Sequence, residues 1–226
     1  MIDIASHSIQ GKREEQQDCL LIYPHRVGVY AAVFDGMGGM EDGAAASHIA
    51  SGTLQALWQE KAPSQQPPVF FLESIDILDE SVTRLKNGSG TTIAAVMIEE
   101  NRLHWLGVGD SRIYLLRGEE IVRATRDHNA AMLPDTPPEK REALISFLGL
   151  AGIDVMDLNK TSFLLEPGDI VLICSDGVYK ALADTQIHAA VFGKNAQAGI
   201  AELFRQIETA NHPKQDNATA IILQYT

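Results

Sequence analysis

The stretch TTIAAVMIEENRLHWLGVGDSRIYLLRGEEIVRA, residues 91–124, decides the fold class. Its β-type runs Thr91–Ile98, Leu103–Val108 and Arg112–Leu116 are separated by tight polar turns, and Arg117-Gly118 turns the chain into Glu119–Ala124. Turns this short join antiparallel neighbours, so the stretch reads as a meander. Upstream, Val27–Phe34 is a continuous β-type run ended by the glycine-rich Asp35–Gly39. The alanine-rich Gly43–Glu60 reads as a helix, and Phe71, Ile75, Leu78, Val82 and Leu85 fall at helical spacing in a second, with Lys61–Pro68 as the loop between. Downstream, Thr125–Pro138 reads as a surface loop and Lys140–Phe147 as a short helix. Ile170–Cys174 is a buried strand, Val178–Leu182 and Thr185–Phe192 are short helices, Ala196–Ala210 is a longer one, and Ala218–Gln224 is a last strand. Periodicity therefore gives mixed α and β with antiparallel sheet. Residues 1–226 are expected to form one domain, because strands near both ends contribute to one site.

Composition narrows the function. A net charge of -12 argues against nucleic acid or an anionic membrane as partner, since both require a basic face. No apolar run reaches the roughly 18 residues of a membrane span, and Met1–Gln10 has no leader pattern, so a cytoplasmic location is expected. Cys19 and Cys174 each lie in an apolar run and read as buried free thiols. Neither is followed by the arginine-closed phosphate loop that thiol phosphatase chemistry requires.

Four segments place an aspartate at the edge of an apolar run: Arg13–Asp18, Val33–Gly39, Ile173–Gly177 and Lys214–Asn217. Aspartates at strand mouths can converge only if something positive holds them, and hard divalent cations with oxygen ligands remove the repulsion and desolvation of such a cluster. The residues themselves thus point to a two-metal hydrolytic site. Simpler readings exist for each residue. Asp176 could cap a helix before Val178, Asp216 could serve a turn, Arg13 could pair with Glu14 or Glu15, and Asp110 could pair with Arg112.

Arg13 with Asp18, Asp35-Gly36-Met37-Gly38-Gly39, Gly90-Thr91-Thr92, Gly109-Asp110-Ser111-Arg112, Asp127-His128, Ser175-Asp176-Gly177 and Asp216-Asn217 occur in the order seen in metal-dependent serine/threonine protein phosphatases of the type 2C (PPM) family. The chain resembles a compact bacterial member. The resemblance implies an α+β fold, a four-layer α-β-β-α sandwich of two antiparallel sheets flanked by helices. It implies that Asp35 bridges two metals, that the Gly36 carbonyl, Asp176 and Asp216 complete the direct ligands, that Asp18 acts through water, and that Asp110 serves a weaker third ion. Arg13 resembles the family's phosphate-binding arginine, whose planar fork takes two oxygens at once.

Two Mn²⁺ or Mg²⁺ ions are implied, because an all-oxygen ligand set selects hard cations. The implied reaction is hydrolysis of phosphoserine or phosphothreonine by a metal-activated water, with no phospho-enzyme. The implied partners are phosphoproteins made by a separately encoded kinase, met by a monomer. A degenerate phosphoprotein-binding regulator and a small-molecule phosphoesterase are the alternatives. Three features depart from the family pattern: Met37 stands where many eukaryotic members have histidine, Gln16-Gln17-Asp18 replaces an asparagine-led motif, and the flap region His128–Leu148 is short. His128 reads as a hydrogen-bonded structural histidine, and the remaining histidines carry no metal-ligand spacing.

Overall fold

The computed structural model describes residues 1–26, 28–38, 41–62, 65–86 and 88–226. Val27, the expected start of the first long run, Gly39 of the glycine motif and Pro63 of the loop at 61–68 lie outside the described residues. In chain order the strands are β1 Ile2–Ile9, β2 Asp18–His25, β3 Gly28–Met37, β4 Gly90–Thr91, β5 Ile93–Glu99, β6 Arg102–Val108, β7 Arg112–Arg117, β8 Glu120–Ala124, β9 Asp157–Leu158, β10 Phe163–Leu164, β11 Ile170–Cys174 and β12 Ala218–Tyr225. The helices are α1 Glu41–Glu60, α2 Pro67–Thr83, α3 Asp176–Tyr179, α4 Asp184–Val191 and α5 Ala196–Ala210.

The strands form two antiparallel sheets, one ordered β1-β12-β11-β7-β8 and the other β10-β6-β5-β3-β2, with β4 and β9 added to β3 and β6. Three apolar layers follow from strand alternation. On β3, Tyr30, Ala32 and Phe34 face α1 and α2, while Val29, Ala31 and Val33 face the other sheet. On β11, Ile170, Leu172 and Cys174 face α4 and α5, while Val171 and Ile173 meet Val33 and Val96 between the sheets. Both faces of each central strand are therefore buried, which is why these strands read as unbroken apolar runs although their sheets are antiparallel. The result is the expected α-β-β-α sandwich.

Two local expectations fail. Lys140–Phe147 is not helical: a 3₁₀ turn at Pro138–Lys140 leads into extended chain whose backbone pairs across with Asn129 and its neighbours, Ile145 N–H donating to the His128 carbonyl at 3.0 Å and the Ala143 carbonyl accepting from Ala130 N–H at 2.8 Å. Tertiary partners thus outcompete the i−4 ladder that the local composition favours. Strand β1 has no counterpart in the sequence reading. Ser6, His7 and Ser8 are exposed on this edge strand, and too little of it is buried for an apolar pattern to stand out.

Candidate active site

Strands β2 and β3 pair so that Asp18 lies directly opposite Asp35. The backbone of Asp35 is held on its other side by the Gly-Thr-Thr motif. Its N–H donates to Thr92 Oγ1 at 3.0 Å, its carbonyl accepts from Thr91 Oγ1 at 3.0 Å, and Thr92 Oγ1 in turn meets Ser111 Oγ at 2.7 Å. Gly36 is wedged between chains: a Cβ there would lie 2.2 Å from the Gly43 carbonyl oxygen and 2.7 Å from that of Gln17. No other residue fits without moving backbone.

Asp18 is nearly enclosed, at 5% exposure. Ser175 Oγ donates to its Oδ2 at 2.7 Å, while its Oδ1 is buried without a hydrogen-bond partner. Burial, only partly offset by Ser175, pushes the Asp18 carboxyl up to about 7. Burial pushes Asp35 well above the carboxylate range too, reinforced by Asp18 and then Asp176. Asp110, buried in the turn after β6, is raised to about 6 by burial and then by Asp176. Neutralising such a group by protonation is the alternative to supplying it with a cation.

Asp176 follows β11 at the start of α3, and Gly177 after it is obligatory: a Cβ would stand 2.0 Å from the Asn217 carbonyl oxygen. Asp216 lies just before β12. These two aspartates do have cations. Lys180 Nζ is 2.6 Å from Asp176 Oδ2, and Arg13 Nη2 is 2.5 Å from Asp216 Oδ2. Arg13 is therefore not paired with Glu14 or Glu15. Nor does Arg112 pair with Asp110; it forks onto Asp127 at 2.8 and 2.7 Å.

Asp35, Gly36, Asp110, Asp176 and Asp216 line one cleft of about 790 Å³ with Arg13, Lys180 and Met37, and Glu142, Leu144 and Phe147 close it from the flap side; Asp18 lies behind this lining. Among the described residues, no three His, Cys, Asp or Glu side chains are gathered tightly enough to read as a finished cage. The donor set nevertheless fits a hard divalent cation: it is all oxygen, it includes the orphaned Asp18 Oδ1, and Gly36 can bring its carbonyl close.

His128 is structural, as expected. It is buried, Gly109 N–H donates to its Nδ1 at 3.2 Å, and its Nε2 lies 3.6 Å from Asp157. Cys174 is enclosed and burial pushes its thiol up, away from reactivity. Cys19 is a free thiol that is only partly buried.

Asn217 and Lys180 were given no role of their own in the sequence. Asn217 ties the Arg13 loop to the sheet: its Oδ1 accepts from Gln17 N–H at 2.9 Å, and its Nδ2 donates to the Gln10 and Glu15 carbonyls, each at 2.9 Å. No local pattern announces contacts some 200 residues apart. Lys180 had a legible signal, an Asp-to-Lys spacing of four residues at a helix start.

Comparison with known proteins agrees with this geometry. A family model described as Stage II sporulation protein E (SpoIIE) matches residues 25–226. Protein phosphatase PhpP of Streptococcus pneumoniae is 29% identical over 196 residues, covering 80% of each chain. The serine/threonine phosphatase of S. agalactiae superposes with a TM-score of 0.86 at 26% identity over 100% of both chains. The catalytic domain of the phosphatase PstP, solved with two manganese ions, has the same fold, with a TM-score of 0.81 at 24% identity over 99% of this chain and 97% of that one.

Proposed function

We propose that this chain, which belongs to the Stage II sporulation protein E (SpoIIE) family, is a metal-dependent phosphatase of the type 2C kind that hydrolyses phosphoserine and phosphothreonine on proteins. The observation that carries the reading is buried Asp18 opposed to Asp35, with Asp35 on the floor of a cleft whose walls hold Asp110, Asp176 and Asp216. The similarity to PhpP and to the S. agalactiae enzyme supports the same substrate class.

Divalent cations, when bound, supply the positive charge that neutralises phosphoryl oxygens and acidifies water. Asp35 and the Gly36 carbonyl would hold them at the centre, Asp176 and Asp216 from the flanks, Asp18 through water, and Asp110 would serve a weaker third ion. Mn²⁺ and Mg²⁺ both suit these oxygens. Arg13 binds the phosphate. Its guanidinium, 61% exposed at the cleft mouth, can swing from Asp216 to two phosphoryl oxygens at once. Met37 lines the cleft and has no proton to give, so the leaving oxygen takes its proton from water. The finer reading is a cytoplasmic monomer acting on the products of a separately encoded kinase. Among the described residues no helix is long and apolar enough to cross a membrane.

Turnover of phosphoserine and phosphothreonine peptides by the purified chain tests the reading. Hydrolysis is expected only with Mn²⁺ or Mg²⁺ present, and full activity after exhaustive chelation would overturn it.

A further inference from the structure

Three basic side chains line the cleft: Lys12, Arg13 and Lys180. Of these, Lys180 is placed most firmly. Its ammonium is 2.6 Å from Asp176 Oδ2, one helical turn along α3, and its own N–H donates to the Asp176 carbonyl at 2.9 Å. The preceding residue is clamped as well: the Arg112 guanidinium lies 3.5 Å from the centre of the Tyr179 ring, and Arg112 is itself locked by its fork onto Asp127. The end of α3 thus holds Lys180 where the acid it pairs with is a candidate metal ligand. Arg117, Arg126 and Arg205 pair with acids outside the cleft lining, at Asp169, Asp157 and Glu202.

We propose that Lys180 competes with the divalent cation for the Asp176 carboxylate and so holds down the affinity of the site for its metal. An arriving ion must first displace the ammonium. The ammonium, tethered to a pinned turn that lines the cleft, then stays in it as a like charge beside the ion. Competition and repulsion act in the same direction, and a weakened site exchanges its ion more readily. The inference rests on the reading of Asp176 as a metal ligand.

The test is Mn²⁺ binding to the full chain stripped of metal, followed by calorimetry and by the electron paramagnetic resonance signal of free Mn²⁺, with no substrate present. Lys180→Met is expected to bind Mn²⁺ roughly three- to thirty-fold tighter, the range set by a unit charge a few ångströms away in a half-exposed setting. Lys180→Arg, which keeps the charge, is expected to stay within about twofold of the wild type on the same electrostatic grounds. Lys160→Met, at an exposed position outside the cleft lining, controls for net charge and is expected to change nothing. Lys180 is about half exposed, so its loss leaves no cavity, and Lys180→Gln carries the same expectation if the methionine variant folds poorly. Unchanged or weaker Mn²⁺ binding in Lys180→Met overturns the proposal. Asp176→Asn separates the two levels. If it leaves Mn²⁺ binding intact, the ligand reading of Asp176 falls and takes this inference with it. If it weakens binding while Lys180→Met is silent, only the role of Lys180 falls.

Discussion

The inner and outer aspartates of the cleft are solved differently by the same chain. Asp18, enclosed, and Asp35, partly buried, face each other across a strand pair with no ion pair among the described residues, whereas Asp176 and Asp216 each hold a basic side chain at 2.6 and 2.5 Å. The difference is one of access. A lysine or arginine on a turn can fold back onto a carboxylate at the rim, but among the described residues none forms an ion pair with Asp18 or Asp35. The floor depends on protons or on ions from outside, and the rim can neutralise itself. A floor of this kind stores repulsion in the metal-free protein in exchange for a site that a divalent ion relieves.

The largest effect expected from this contrast is at the floor. Asp35→Asn should lower phosphopeptide kcat by more than about 100-fold, since even groups that merely orient metal ligands are worth 10–100-fold. It should also raise the melting temperature of the chelated protein at pH 8, because it removes a buried, unpaired charge. Loss of activity together with a lower melting temperature would place Asp35 among ordinary supporting residues.

At the rim, Arg13→Ala should keep Mn²⁺ binding and lower kcat/KM roughly 10–200-fold, the equivalent of about 1.5–3 kcal/mol for one charge-assisted contact. Unchanged steady-state kinetics would reduce Arg13 to a surface partner of Asp216.

A third test uses pH. The Asp18 carboxyl lies at about 7 in the fold against an ordinary 3.8, so across that window the folded state binds more protons than the unfolded one. With Asp35 and Asp110 raised as well, stability of the metal-free protein should therefore be fully kept near pH 4 and fall as pH rises through 7. Asp18→Asn should flatten that slope in thermal melts followed from pH 5 to pH 8, and saturating Mn²⁺ should reverse it. A flat wild-type profile would remove the argument for a strained floor.

The smallest effect is expected at Met37. If water supplies the leaving-group proton, Met37→Ala should leave the ratio of phosphopeptide to p-nitrophenyl phosphate turnover nearly constant. A collapse of that ratio by about 100-fold, the scale of a lost general acid, would assign Met37 a part in shaping the leaving-group site.

Much of this was legible in the chain because the relevant signals are local. The runs Val29–Phe34 and Ile170–Cys174 announce strands buried on two faces, Ala196–Ala210 announces an amphipathic helix, and aspartates fall at the ends of strands where side chains leave the sheet. Glycine at Gly36 and Gly177 was legible as a need for space, though not what would fill that space. The segment Lys140–Phe147 has helical composition but pairs its backbone with residues 128–131 instead, a competition that no window of sequence contains.

By itself the sequence determined which strands are buried and which carboxylates need a cation, since burial and charge are properties of residues and their near neighbours. Only the tertiary structure decided which of those carboxylates the protein already neutralises. Arg13 and Asp216 are 203 positions apart, and Asp18 and Ser175 157 apart. The first pairing exists only once the two ends of the chain, β1 and β12, lie side by side in one sheet, and the second only once the two sheets pack face to face.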